Sequence, residues 1–413
     1  MFKEPEELGD ISYPSGVPVP VGSIETENVA RFVTGMPEFD RLMGGGIAGH
    51  SLTLLAGDPG IGKSTLMLEI ASAFATKQKR VLYVSGEESL YQTSLRAERL
   101  SIRSDNLFVY AETNMAKIGE QVIELKPDLI VIDSIQIVYK PNVPSIPGSV
   151  TQVREVALEL VKIAKRLGIT VFAIGHVTKT GDLAGPRLLE HMVDTVLEFE
   201  GDLEHGFRIL RSRKNRFGST DEVAIYEMRQ EGLLEVASPS ALFLRERQNK
   251  VPGSVVTATI EGSRSILIEV QSLVAPTNYP TPTRRSTGID QNRVLLLLAV
   301  LEKRVGMQIG FQDVFVSIAG GLVVKDPGID LAVLFAIASS HANRPLLPEC
   351  AMVGEVGLSG ELRSAYRIEQ RLKEIANMGF KECILPRMHE KVRQKGLELH
   401  FFSTAAEAVA KFL

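Results

Sequence analysis

The sequence predicts an α/β protein: a parallel sheet with helices on both faces, followed by a second, α+β domain. Three observations carry that expectation. From about residue 31 to residue 240, apolar runs that read as strands alternate with stretches of helical periodicity. Two of those runs, "DLIVID" and "ITVFAIG", are almost wholly apolar, as in strands buried on both faces. Beyond residue 245 the order of strands and helices changes, which marks a separate unit over 245–413.

The elements follow in chain order. Residues 1–30, with "YPSGVPVPVGS", are rich in proline and glycine and read as an extended arm. "SLTLLAG" is a strand, and "KSTLMLEIASAFATKQ" has helical apolar spacing. "RVLYVSG" is the next strand and "DLIVID" another. "TQVREVALELVKIAKRLG" is an amphipathic helix closed by a glycine, and "ITVFAIG" follows as a buried strand. In the second unit "GSVVTATI", "SILIEVQSLV", "DVFVSIAGG" and "MVGEVGLSGEL" read as strands. "NRVLLLLAVLEKR", "GIDLAVLFAIASSH" and "RIEQRLKEIANMG" read as helices, and "VAPTNYPTPTRRSTG" as a long loop.

Composition excludes several classes. At 44% hydrophobic and 23% charged residues the chain lies in the globular range. A net charge of −4 gives no bulk basicity, so nucleic acid would need a locally basic lining. Two distant cysteines, Cys350 and Cys383, leave no disulfide framework and no four-cysteine zinc site. The start, "MFKEPEELGD", lacks the apolar core of a signal peptide. No apolar run reaches the ~18 residues of a membrane span. A cytoplasmic protein without membrane contact is expected.

The chemistry centres on "GDPGIGKST": Gly57, Asp58, Pro59, Gly60, Ile61, Gly62, Lys63, Ser64 and Thr65. This fits the phosphate-loop pattern at every fixed position, with a strand before it and a helix after it. The glycines let backbone N–H groups turn inward on phosphates, and the helix N-terminus favours the anion. Lys63 supplies a point charge for the β- and γ-phosphates, and the Ser64 hydroxyl suits Mg²⁺. ATP and Mg²⁺ are the expected cofactors. Asp133, closing "LIVID", is placed to hold the magnesium with Ser64. "VLYVSGEES" ends in Glu87 and Glu88, either of which could align and deprotonate a water; Glu87 is favoured. His176, closing "FAIGH", is either a sensor of the γ-phosphate or a satisfied structural histidine. In "LRSRKNRFGST" an alternating Lys214 and Arg216 on one strand would share a face. They could then reach a neighbouring subunit's γ-phosphate as an arginine finger in trans and stabilise transition-state charge.

A glutamate one strand after the loop helix, with an aspartate one strand further, resembles the RecA-type ATPase core. Together with "GDPGIGKST" and "YVSGEES", "GHVTKTGDLAGPRLLEHMVD" and "KNRFG" are similar to the RadA (Sms) family of bacterial DNA repair and recombination ATPases. The likeness runs from about residue 30 to the end of the chain. It implies a homo-hexameric ring like that of a replicative helicase, moving on single-stranded DNA and promoting branch migration, with the RecA recombinase as partner. It also implies that Lys214 and Arg216 act across the subunit interface. In such rings the loops after the Asp133 and His176 strands face the channel. There Lys140, Lys179 and Arg187 are the cations available to DNA phosphates, and Tyr139 could stack on a base. Members usually begin with a four-cysteine zinc finger; this chain has no cysteine before Cys350, so no zinc is expected.

The second unit resembles the proteolytic domain of Lon. Aligned on Lys325 and Asp326, the Lon nucleophile position holds Ile329, and the Lon lysine position holds Glu369. Neither residue can do the work of a Ser-Lys dyad, so the protease chemistry is expected to be lost. Ser317 and Ser359 are distant substitutes. An ATP-dependent protease remains the rival reading, and a KaiC-like autokinase a weaker one.

Overall fold

The computed structural model describes residues 31–176, 189–201, 206–388 and 392–413. A short ribbon of β1 (Arg31–Phe32) and β2 (Ile47–Ala48) flanks α1 (Pro37–Leu42). Then the predicted alternation begins. It runs β3 (Leu52–Gly57), α2 (Lys63–Thr76), β4 (Val81–Ser85), α3 (Leu90–Arg99), β5 (Leu107–Ala111) and α4 (Met115–Leu125). It continues through β6 (Leu129–Asp133), α5 (Val150–Leu167) and β7 (Thr170–His176) to β8 (Thr195–Gly201), β9 (Phe207–Asn215), β10 (Val223–Arg229) and β11 (Gly232–Glu235).

These strands form one nine-stranded sheet in the order β11-β10-β9-β8-β3-β7-β6-β4-β5. The stretch from β8 to β5 is parallel, and β9, β10 and β11 extend it antiparallel. Strand β3 shows why both faces are covered. Leu54 and Leu55 are fully buried on opposite faces, Leu55 among Leu66, Ile70 and Phe172, and Leu54 among Ile130, Val156 and Leu160. Helix α5 is capped by the Ser149 side chain and ends at Gly168 in the left-handed region, as its sequence predicts. Edge strand β5, a wholly apolar LFVYA run, and helix α4, amphipathic and capped by the Asn114 side chain, were not singled out from the sequence although each carries a plain signal.

At the junction of the two units α6 (Pro239–Leu244) packs on β13. The sheet of the second unit takes β12 (Ser254–Glu261), β13 (Arg264–Pro276), β14 (Arg284–Thr287), β15 (Gln312–Ile318) and β16 (Cys350–Met352). A small ribbon of β17 (Glu355–Val356) and β18 (Leu362–Arg363) precedes β19 (Glu382–Pro386) and β20 (Glu398–Phe402). The order is β14-β15-β13-β12-β16-β19-β20. Helices α7 (Gln291–Val300), α8 (Asp330–Ala342), α9 (Ile368–Asn377) and α10 (Ala405–Phe412) complete it, with α8 buried along most of its length. The stretch expected as a loop, "VAPTNYPTPTRRSTG", contains β14, which pairs in parallel with β15 at the sheet edge. An edge strand needs no apolar run, so its polar sequence hid it.

The two sheets share a core. Ile209, Val223 and Ile225 of the first pack with Ile266 and Ile268 of the second and with Phe243 of α6. Ion pairs reinforce the seam, Arg211 with Glu261 at 2.7 Å and Arg264 with Glu38 at 2.7 Å.

Candidate nucleotide site

Parallel strands of an open sheet leave a crevice at their C-terminal ends. Four expected residues meet there because register brings them together: Gly57 of β3 lies opposite His176 of β7, and Ser85 of β4, just before Glu87, opposite Asp133 of β6. The phosphate loop bridges β3 and α2. Gly60 and Gly62 have φ of +77° and +115°, a conformation side chains resist. A Cβ on Gly62 would also come within 2.6 Å of Met228.

Lys63 is buried, and its Nζ donates to the carbonyls of Gly57 at 2.9 Å and Asp58 at 2.8 Å. Burial lowers its pKa, opposed by the charges of Asp133, Glu87 and Asp58. Asp133 is also buried, which raises its pKa. The Tyr83 hydroxyl, donating at 2.7 Å, and the Ser64 hydroxyl oppose that rise. A triphosphate and Mg²⁺ fit this donor set: an ammonium and a helix N-terminus for phosphate, and a hydroxyl beside a carboxylate for the ion. Among the described residues no cluster of His, Cys, Asp and Glu forms an all-protein metal site. Nucleotide magnesium does not need one, since phosphates and water complete its shell.

Geometry separates the two glutamates. Glu88 is held by Arg96 in a two-pronged ion pair at 2.7 and 2.5 Å. Glu87 faces the crevice, accepting from the Ser134 hydroxyl and lying 3.0 Å from His176 Nε2. Burial pushes its pKa up, but those two hydrogen bonds and the charges of His176 and Lys63 bring it below the usual carboxylate range.

The basic segment departs from simple alternation. A bulge interrupts the β8–β9 pairing, Val196 facing Lys214 and Leu197 facing Ser212. Strand β9 stops at Asn215, so Arg216 sits in a turn and not on the strand. The reason is local: Asn215 Oδ1 accepts from Phe217 N at 2.9 Å, and Gly218 packs so tightly on Gly44 that a Cβ there would lie 3.1 Å from its Cα. Both cations still turn to the stretch before β8. Lys214 Nζ donates to the carbonyls of Glu190 at 2.6 Å and Val193 at 2.8 Å, and Arg216 pairs with Asp194 at 3.2 Å.

Of the cations expected near DNA, Lys140 is tied to Glu159 at 3.2 Å, while Lys179 and Arg187 lie outside the described residues, as does the 1–30 arm. Tyr139 is half-buried, its backbone pairing with Thr113 and Met115. Sequence reading missed Tyr83, Ser134, Arg96 and Asp194. Tyr83 lies inside one quoted strand and Ser134 just after another, but nothing local says which carboxylate each will meet.

In the second unit Ile329 is buried and Glu369 exposed. The interior beside them is filled by Arg371, fully buried and paired with Asp326 at 2.6 Å. Ser359 donates to Glu361 at 2.5 Å, and Ser317 lies in β15 opposite Gln271. No helix among the described residues is long and apolar enough to cross a membrane.

A family described as an AAA domain matches residues 21–182. The DNA repair protein RadA of Bacillus subtilis (strain 168) is 52% identical over 394 residues, spanning 95% of this chain and 86% of that protein. That of Listeria monocytogenes is 50% identical over 397 residues, spanning 95% and 87%. Among solved structures, a KaiC-like protein from Pyrococcus horikoshii OT3 covers 50% of this chain and 99% of its own at 21% identity and a TM-score of 0.42. At that identity and coverage with the bacterial proteins, the chain, with its RecA-like α/β core, belongs to the RadA family.

Proposed function

We propose that this protein is an ATP-hydrolysing, DNA-dependent motor of DNA repair and homologous recombination. In this reading it works as a hexameric ring that translocates on single-stranded DNA and promotes branch migration alongside a RecA recombinase. The name borne by its relatives supports the repair role, and the phosphate loop supports ATP and Mg²⁺ as cofactors.

One observation carries the ring. The turn bearing Arg216 and the phosphate loop stand at opposite ends of β3. Asp194, which holds Arg216, also takes the Leu52 N–H where β3 starts, and Gly57 ends that strand. Five strand steps separate them, roughly 17 Å at ~3.3 Å each. Arg216 is therefore too far to serve its own loop, whereas a neighbour packed head to tail would bring it to the next one.

The residues divide the chemistry. Lys63 and the loop N–H groups bind and orient the phosphates. Ser64 and Asp133 hold the magnesium, which when bound neutralises phosphate charge. Glu87 orients a water and accepts its proton, and His176 couples that carboxylate to the end of β7. Lys214 and Arg216 of the adjacent subunit supply positive charge where it develops in the transition state. Lys140, Lys179 and Arg187 are proposed to contact the DNA backbone. The second unit is proposed to be a Lon-like domain without protease chemistry.

The protease reading has less support, because a buried isoleucine and an exposed glutamate stand at its dyad positions. Assays of ATP hydrolysis with and without a single-stranded oligonucleotide, beside casein degradation and native mass spectrometry, test the proposal. DNA-stimulated hydrolysis by a hexamer with intact casein is the expected result. Casein cleavage, or hydrolysis indifferent to DNA, would overturn it.

A further inference from the structure

We propose that Asp194 is the positioning residue of the finger turn: it grips one edge of the Arg216 guanidinium and leaves the rest free for a neighbouring subunit's phosphate. The inference rests on the trans role of Arg216 given above.

Asp194 is unusually well anchored. Its side chain is 5% exposed, and Oδ2 accepts from Leu52 N at 3.0 Å and pairs with Lys165 Nζ at 2.8 Å. Its backbone N–H donates to Leu52 O at 2.9 Å. These ties bind it to the first residue of β3 and to the end of α5, both rigid elements. The remaining oxygen, Oδ1, meets Arg216 NH1 at 3.2 Å, and the Asp194 carbonyl accepts from Arg216 N at 3.1 Å. The turn is thus fixed by backbone and side chain at once. On its far side the Arg31 guanidinium donates to Phe217 O at 2.6 Å.

The Arg216 side chain nevertheless remains 55% exposed. A guanidinium carries five N–H donors in a rigid plane, so one can be spent on Asp194 while others face outward. A carboxylate alone would cancel the charge a finger needs. Lys165 removes that objection. It lies against the other carboxylate oxygen, so the group Lys165–Asp194–Arg216 keeps one net positive charge. Lys165 also sits 6.0 Å from the Phe217 ring, in the same turn. The arrangement holds direction without losing charge, which is what a group acting across an interface requires.

The test is a double-mutant cycle on the full chain. Turnover, KM and binding of a fluorescent ATP analogue are measured for wild type, Asp194→Asn, Arg216→Ala and the double variant. Asp194→Asn should lower kcat on the order of 10-fold to 10²-fold, with nucleotide affinity unchanged. In the Arg216→Ala background it should cost nothing more, because it acts only through that arginine. An equal further loss in the double variant, or a kcat that stays level or rises in the single one, would overturn the proposal. Should Asp194→Asn fail to fold, the exposed Lys165→Met replaces it. It leaves both Asp194 contacts to Arg216 in place, uncovers the carboxylate charge, and should lower kcat only while Arg216 is present; a loss that persists without Arg216 refutes the idea. If Arg216→Ala alone hydrolyses at the wild-type rate, the finger reading itself fails, and this inference with it.

Discussion

His176 Nε2 lies 3.0 Å from Glu87 Oε1, joining the end of β7 to the turn after β4. The contact holds the one crevice glutamate that Arg96 does not occupy, and it favours the ionised carboxylate. Removing the donor should therefore raise the Glu87 pKa. The acid limb of the kcat/KM profile for His176→Ala is expected at higher pH than in the wild type. An unmoved limb would separate Glu87 from the rate.

Glu87→Gln should bind ATP normally and turn it over on the order of 10²-fold to 10⁴-fold more slowly, the usual scale for a lost general base. Glu88→Gln should cost much less, since its role is the pair with Arg96. Single-turnover hydrolysis of the two variants decides between them.

Lys63→Ala should abolish hydrolysis with the fold intact. Arg216→Ala should bind nucleotide but hydrolyse on the order of 10³-fold more slowly. Mixed after subunit exchange, the two should recover activity, because some interfaces then join an intact loop to an intact finger. A mixture no better than the sum of its parents would mean the arginine does not act in trans.

Arg371 is the largest fully buried side chain among the described residues, held by Asp326 and by the carbonyls of Tyr366 and Ala258. Arg371→Met leaves Asp326 without its counter-charge, and a cost of about 3 kcal/mol is expected in denaturant unfolding. Stability equal to wild type would show that the pair is replaceable.

Glu69, on α2 below the phosphate loop, has its pKa raised to about 7, chiefly by burial, with the charge of Glu235 adding. Between the ordinary carboxylate range and about pH 7 the unfolded chain is ionised at this site while the folded one holds its proton. The unfolded state binds fewer protons there, so stability falls as pH rises through that window and levels off above it. Glu69→Gln keeps a side-chain oxygen to accept from Leu233 N, which donates to Glu69 Oε1 at 3.0 Å, and should flatten the slope. Chemical denaturation from pH 5 to 8 measures it.

What the sequence determined by itself is what depends on contiguous residues. The phosphate loop needs glycines, a lysine and a hydroxyl in one run between a strand and a helix, and every one of those requirements is local. Strands β3, β6 and β7 were legible because burial on both faces forces continuous apolar runs. Edge strand β14 was not, because its pairing, and not its polar composition, makes it a strand. The choice between Glu87 and Glu88 waited for Arg96, two turns along α3, to claim one of them. The place of Arg216 waited for Asn215 to close a turn and for Gly44 to meet Gly218. Asp194 could be assigned only once folding set the start of β3, the end of α5 and the finger turn around one carboxylate. Electrostatic partners are chosen by distance in space, and chain order carries that information only where the partners are neighbours.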